Sequence, residues 1–482
     1  MKSPRREGAR CAAVLVWIIA LLIGEIGVFW RAGQCQKGLS SPSGLSHDDN
    51  GNRAVVAVIA DPQLTDSSSY GQRPGSLGLW LTEFYSDLFM RRAFRSLMRL
   101  HEPNKVVFLG DLFDGGRTAD DYSYIELAER FQSIFGSDWR KFLFMAGNHD
   151  VGLGRYFSSQ AEKHFRDVFG QRSHAQGLCK KHLVMIDSPS LVNAAHQNRD
   201  DTVALREAMS TIQQIPEGSD TILFSHIPLW REPGVSCDSS MPRQKQQLQQ
   251  GFGPSYQNLL NAQYTSMLLL HTQAGMIFSG DDHDFCVVNH DVPGRNNAKT
   301  AREFTVASFS WLQGVRHPGY ALLSISGCKA PAGQQSVEVD LCSLHDQLHV
   351  YFHYVVLAAA TIIVLGCDSL MMRSKAMRDG SKAHKDGDLL TGTPEDVTSP
   401  VSEAKSTSKN TLRARMSHSQ LLAAVEAGDH TMTDMEQTFL NGDTNQTSLP
   451  TREVSGFWHF LSNVRFVACW GLSVYIVLLF LF

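Results

Sequence analysis

"KVVFLGDLFDGGR" (residues 105–117) sets a β-branched apolar run against a polar loop that carries two aspartates three residues apart. The run reads as a buried strand, so its first aspartate stands at the carboxyl edge of a sheet. A lone aspartate there is a turn residue or helix cap more often than a ligand. The pattern recurs, however. "VVAVIA" (55–60) is followed by Asp61-Pro62-Gln63, and "KFLFMAG" (141–147) by Asn148-His149-Asp150. "TILFSH" (221–226) ends on His226, and "GMIFSG" (275–280) delivers Asp281-Asp282-His283. In α/β sheets, groups just beyond strand ends converge on one crevice. Five such clusters, mixing Asp, Asn and His, offer hard oxygens and imidazoles suited to a pair of divalent cations.

Between these strands, and around "HLVMID" (182–187), amphipathic stretches predict helices near 79–100, 119–135, 159–169, 201–214 and 255–271. Strands alternating with helices argue for an α/β layered domain. The closely spaced later runs "CVVN", "EFTVAS", "YALLSI" and "SVEVDL" read as additional antiparallel strands.

The chain has 482 residues, is 43% hydrophobic and carries a formal net charge of −4. That is ample for a large core, and the charge gives no reason to expect a nucleic-acid partner. Three apolar stretches read as membrane spans: 11–30, 350–367 and 464–482. Glu25 interrupts the first, which is expected to be an uncleaved anchor because no small-residue cleavage site follows it. Arg465 near the start of the third can snorkel to the interface. Lys2, Arg5, Arg6 and Arg10 precede the first span, and Arg373, Lys375, Arg378 and Lys382 follow the second. The positive-inside rule makes those flanks cytosolic.

The expected order is therefore a cytosolic N-terminus (1–10), an anchor (11–30), a Ser/Gly/Asp-rich stem linker (31–53) and a lumenal domain (54–345). A membrane helix (350–367), a mostly disordered cytosolic loop (368–463) and a C-terminal membrane helix (464–482) follow. Within the loop, "SQLLAAVEA" (419–427) could form a short helix, and the Asn445 sequon falls on the cytosolic side, where it would go unused. Of nine cysteines, Cys11, Cys367 and Cys469 lie in the spans, whereas Cys35, Cys179, Cys237, Cys286, Cys328 and Cys342 all lie in the lumenal segment. An even set confined to one side suits an oxidising compartment, with the pairing left open.

The order D-x-(H/Q), GDxxD, GNHD, H, G-x-x-H resembles the calcineurin-like metallophosphoesterase superfamily over residues 55 to about 326. "DPQL" has Gln63 where the family has His, and "GDDH" has Asp281 where the family has the first His of its last box. With "FYSDLFMRR" (84–92), "SGDDHDFC" (279–286) and "FSWLQGVRHPGYALLS" (309–324), these departures resemble the membrane-bound ethanolamine-phosphate phosphodiesterases that remodel glycosylphosphatidylinositol (GPI) anchors in the endoplasmic reticulum.

The resemblance implies an α/β fold built as a four-layer α/β/β/α sandwich of two mixed sheets. It also implies a ligand set. Asp61, Gln63, Asp111 and His283 would hold one metal; Asp111 as bridge, Asn148, His226 and Asp281 would hold the second. His149 would be the proton donor, oriented by Asp150. Replacing two nitrogen ligands by oxygens favours Mn²⁺ or Mg²⁺ over Zn²⁺, so Mn²⁺ is the expected ion.

Arg117 and Arg316 are candidate substrate-phosphate clamps, and Asp114 is expected to brace its own loop. Asp282 and Asp284 are left to supporting bonds around the ligands. The implied substrate is a GPI glycolipid or GPI-anchored protein at a lipid surface. The implied location is a multi-pass membrane protein of the endoplasmic reticulum, with cycling to the Golgi left open because "LLFLF" carries no dilysine signal. The rivals are a metallophosphoesterase for nucleotides, phosphoproteins or phospholipids, and a non-catalytic membrane adaptor with a degenerate metal site.

Overall fold

Apolar β-branched runs of four to eight residues bury both faces only when covered on both sides, and that is how this chain arranges them. The computed structural model describes residues 4–31, 35, 51–196, 203–216, 218–238, 243–293, 300–331, 333–387 and 451–481. Most of the stem linker, the 419–427 segment and the Asn445 sequon lie outside the described residues.

Strands β1 (Arg53–Ile59), β2 (Lys105–Phe108), β3 (Leu143–Phe144), β12 (Gly319–Ser326) and β13 (Ser336–Ser343) form a five-stranded sheet ordered β13-β12-β1-β2-β3. The second sheet has six strands. These are β4 (His174–Leu178), β5 (Lys181–Ile186), β6 (Asp220–Ser225), β9 (Met276–Ser279), β10 (Cys286–Asp291) and β11 (Thr300–Thr305), ordered β10-β11-β9-β6-β5-β4. Both sheets are mixed. β1-β2-β3 and β5-β6-β9-β11 are parallel, whereas β12, β13, β10 and β4 pair antiparallel at the flanks.

Three apolar cores separate four layers. Val56, Val58, Val107 and Leu323 of the first sheet meet Leu183, Phe224, Phe278 and Phe304 of the second between the sheets. Outside the first sheet, helices α2 (Leu77–His101) and α3 (Asp121–Phe135, with Phe131 and Phe135) pack against Phe108, Phe113, Trp139 and Phe144. Outside the second, α6 (Ser188–His196), α7 (Val203–Gln213) and α8 (Ala262–Thr272) cover Val184, Leu223 and Ile277. Each fully buried aromatic or branched side chain contributes about 1.5–3 kcal/mol of transfer free energy. The expected α/β/β/α sandwich is the fold observed.

Two expectations differ locally. The expected strand over 141–147 shrinks to two residues, because a 3₁₀ turn at Ser137–Lys141 consumes its start. The helix expected from 255 begins only at Ala262, capped by the Asn261 side chain accepting the Tyr264 N–H. Ahead of it, Phe252–Gly253 and Tyr256–Gln257 (β7 and β8) form a tiny hairpin, with Ser255 at φ 63° between them.

Three helices are long and apolar enough to cross a membrane: Gly8–Trp30, Gln347–Lys375 and Phe457–Leu479. The last two lie within α9 (Gln347–Gly387) and α10 (Thr451–Leu481), so both helices extend beyond the apolar stretches read from the sequence. The chain divides into two compact units, Met1–Cys11 with Ala359–Cys469, and Ala12–Ala358 with Trp470–Phe482. In the first, the Arg10 guanidinium meets the His459 ring at 3.5 Å. The second contains the sandwich and a polar knot beside it. Glu25, 3% exposed, pairs with Arg92, 5% exposed. Tyr354 Oη donates to Glu25 Oε1 at 2.9 Å, and Arg92 Nη2 donates to the Leu478 carbonyl at 2.8 Å.

All six cysteines of the 31–349 segment are paired: Cys35–Cys342, Cys179–Cys328 and Cys237–Cys286. Cys11, Cys367 and Cys469 form no disulfide among the described residues.

Candidate active site

The segments that follow β1, β2, β3, β6 and β9 converge, and each brings a polar cluster to one buried spot. Asp61, Asp111 and His226 offer ligand atoms within 4.8 Å of one another. The His226 ring lies 3.7 Å from Asp61 Oδ1 and 3.5 Å from both Asp111 Oδ1 and Asp281 Oδ1. His226 Nε2 is also 2.9 Å from Asn148 Oδ1, and its Nδ1 is held by the Leu109 carbonyl at 2.9 Å. The Asn148 amide donates to the Ser255 carbonyl at 3.0 Å, which fixes its oxygen toward His226. The Asp281 N–H donates to both oxygens of Asp61, at 3.2 and 3.1 Å.

The backbone here is held in a rare conformation. Asp61, Gln63, Asp111, Asp281 and His283 all have φ between 37° and 68°, a left-handed region that non-glycine residues seldom occupy. Such backbone persists where surrounding structure over-determines it, and it clusters at functional sites. Two glycines make the close approach feasible. Gly110 has φ 108°, and a Cβ there would stand 2.7 Å from both Gly147 N and His226 Nδ1. A Cβ on Gly147 would run into Asp111 Oδ1 and the Asp111 nitrogen. Gly147→Ala is therefore expected to displace Asp111 and strip the purified chain of its divalent metal. Elemental analysis of metal per chain checks this.

The donor set fits divalent cations. Gln63 is 1% exposed, and its Nε2 donates to Asp111 Oδ2 at 2.8 Å while its Oε1 is buried with no hydrogen-bond partner. A neutral oxygen left over in a ring of carboxylates is what a metal ligand looks like before its metal is added, since buried acceptors are otherwise satisfied. Charges respond to the crowding. Burial, then Asp111 and Asp281, push the Asp61 carboxyl well up, although His226 opposes them. Burial alone would keep His226 neutral, yet Asp111, Asp281 and Asp61 raise it to about 10. Burial and the nearby Lys245 hold His283 down at about 3, so its imidazole is neutral and free to ligate.

Asp114 and Asp150 exchange the roles expected of them. Asp150, fully buried, accepts the N–H groups of Gly147 at 2.8 Å, Leu112 at 3.0 Å and Phe113 at 3.2 Å. It ties the β2 and β3 loops together and makes no contact with the His149 ring among the bonds described. Asp114 instead orients His149. The ring Nδ1 lies 2.9 Å from Asp114 Oδ1 and 2.8 Å from its carbonyl, and Asp114 in turn accepts from Ser69. Burial would lower the His149 imidazole, but Asp111 and Asp114 raise it to about 9. The His149 backbone N–H donates to Asp111 Oδ1 at 2.8 Å.

Arg117 lies near enough to His149 to oppose its protonation, and Arg117 Nη1 is buried without a hydrogen-bond partner. Arg316 does not share this site. It is exposed and pairs with Asp346, with Nε and Nη2 each 2.8 Å from Oδ2. Asp282 and Asp284 turn away from the carboxylate cluster toward a strap at 243–245 that the sequence did not single out: Arg243 Nη2 lies 2.7 Å from Asp282 Oδ2.

A family model described as calcineurin-like phosphoesterase matches residues 54–285. The chain is 28% identical over 370 residues to cell division control protein 1 of Saccharomyces cerevisiae, covering 74% of each. It is 27% identical over 267 residues to metallophosphoesterase 1 of Mus musculus, covering 52% of this chain and 65% of that protein. To a metallophosphoesterase 1 homolog of Caenorhabditis elegans it is 25% identical over 350 residues, covering 71% of this chain and 87% of that protein. This family binds two divalent metals. Residues 54–285 match the calcineurin-like phosphoesterase domain, and the Asp61–Asp111–His226 group that they bring together supports metal-dependent phosphoesterase chemistry.

Proposed function

We propose that this chain is a dinuclear phosphodiesterase that removes ethanolamine phosphate from a mannose of the GPI glycan, at the lumenal face of the endoplasmic reticulum membrane. The observation that carries the reading is the orphaned Gln63 Oε1 beside the Asp61–Asp111–His226 cluster. It supports a working metal ligand at the position where the sequence departs from the superfamily and resembles the GPI phosphodiesterases. Three helices able to span a membrane support a substrate held in lipid. Six paired cysteines support the lumenal side for residues 31–349.

Asp61, Gln63, Asp111 and His283 would hold one ion, and Asp111, Asn148, His226 and Asp281 the other; the oxygen-rich set favours Mn²⁺. When bound, the two ions polarise the phosphoryl oxygens and lower the pKa of water enough to supply a nucleophile near neutral pH. The chain's own residues do the rest. Arg117 offers its free Nη1–H to a phosphate oxygen. His149, held at Nδ1 by Asp114, gives a proton from Nε2 to the departing mannose oxygen. Asp150 keeps the two loops that carry Asp111 and His149 in register.

The test is turnover by the detergent-purified full chain with Mn²⁺, comparing an ethanolamine-phosphate-bearing GPI glycan with soluble nucleotides and phospholipids. Release of ethanolamine phosphate from the glycan, with the other substrates at least about ten-fold poorer in kcat/KM, is the expected result. Equal or better turnover of nucleotides or phospholipids would sink the GPI reading.

A further inference from the structure

The turn "FSGDDHDFC" (278–286) alternates its charges between two tasks. Asp281 reaches His226 at 3.5 Å, and His283 lies close to Asp111 and His226. Asp282 and Asp284 hold a second piece of chain against its rim. Asp284 Oδ2 accepts the backbone N–H groups of Gln244 at 2.7 Å and Lys245 at 2.9 Å, and Asp284 is 1% exposed. Arg243 locks onto Asp282. The Gln244 side chain is clamped from the other side, its Oε1 accepting from the N–H groups of Arg316 and His317 at 2.9 and 2.8 Å. The Cys237–Cys286 disulfide pins the same region covalently. Residues 243–245 are thus a strap held from both sides.

This arrangement sets down one side chain with care. Lys245 Nζ donates to the Asp282 carbonyl at 3.1 Å, between the two ligand candidates Asp281 and His283. It is close enough to feel the charge of Asp61, and its own charge helps keep His283 neutral. An ammonium carries three donors, and among the described residues the Asp282 carbonyl is its one hydrogen-bond partner. Two N–H groups remain for something else. With two divalent ions in place, the carboxylates of Asp61, Asp111 and Asp281 are already outweighed. A lysine is then surplus as a counter-charge and lowers the energy of the site only when an anion enters.

We propose that Lys245 is a substrate-binding residue, donating to a phosphate oxygen that the metals leave free, and that the Asp282–Asp284 strap exists to hold it there. The inference rests on the phosphoesterase reading but not on the GPI substrate. It assigns to Lys245 recognition of phosphate charge rather than of ethanolamine or sugar.

The experiment uses the full chain in detergent, loaded with Mn²⁺, with inorganic phosphate as the probe. Two readouts are taken: the phosphate-induced rise in Tm, and the inhibition constant of phosphate against hydrolysis of an aryl phosphodiester. Lys245→Met should keep the metal content and the phosphate-free Tm of the parent. Its phosphate inhibition constant should rise about ten-fold or more, the loss expected for a charge-assisted bond. Lys245→Arg should restore most of the binding, and Asp284→Ala, which frees the strap, should weaken phosphate as Lys245→Met does. Unchanged phosphate affinity in Lys245→Met, or loss of metal from it, overturns the proposal. If the parent binds phosphate but does not cleave the diester, the phosphodiesterase reading fails while the Tm readout still decides the role of Lys245.

Discussion

His149→Ala is expected to lower kcat by about 10²–10⁴-fold, the usual worth of a positioned proton donor, while the chain keeps its metals. The separation follows from geometry. His149 touches the ligand set only through its backbone N–H, which alanine retains, whereas its ring is bound to Asp114. Asp114→Asn should cost less than His149→Ala in kcat, because the amide oxygen can still accept from Nδ1. Asp150→Asn should act differently. It puts an amide where three backbone N–H groups converge, so the defect should appear as a lower Tm and lost metal. Steady-state kinetics, metal analysis and thermal melts on the three variants separate the roles. An Asp150→Asn enzyme with normal Tm and metal but His149→Ala-like kcat would return the orienting role to Asp150.

Arg92→Leu is expected to destabilise the chain by about 3–5 kcal/mol, the cost of leaving a buried charge unpaired. Glu25 would remain 3% exposed, with Tyr354 as its sole remaining described donor. Removing both charges at once, in Arg92→Leu with Glu25→Leu, should recover much of that loss, because a buried ion pair and its apolar replacement are often near parity. Chemical denaturation of the detergent-solubilised protein, read by tryptophan fluorescence, checks both. A loss in the double variant equal to the sum of the Arg92→Leu and Glu25→Leu losses would mean that the two side chains are not energetically coupled.

The strand-end clusters were legible because a buried apolar strand followed by acids, asparagine and histidine leaves few architectures open. The same local reading placed the α/β layering and all five strands that deliver the cluster, while the four-layer sandwich came from the family resemblance. It failed where a partner distant in sequence decides. Nothing in "DLFDGG" or "GNHD" distinguishes the aspartate that meets an imidazole from the one that gathers backbone N–H groups, since the choice depends on how two loops cross at Gly110 and Gly147. Arg92 gave no sign of its role because its partner, Glu25, looks like a blemish in an apolar helix until both are seen buried. Arg316 sits in a stretch that carries the family resemblance, yet its partner Asp346 draws it to the surface. Lys245 follows no motif at all; it acquires its place from Asp282 and Asp284 across 37 and 39 residues of chain.

The Cys35–Cys342 disulfide spans 307 residues and closes almost the whole sandwich into a covalent ring, with one exit toward the helix that ends at Arg31 and the other toward the helix that begins at Gln347. A protease that cuts the ring once linearises it but frees nothing, since each new end is still joined to its own helix and, through sulfur, to the other. Shedding of the whole domain therefore takes two cuts, one in each exit, while one cut together with a reductant only parts it into two pieces that each keep a helix. A nicked protein would run as one species on a non-reducing gel and as two on a reducing one.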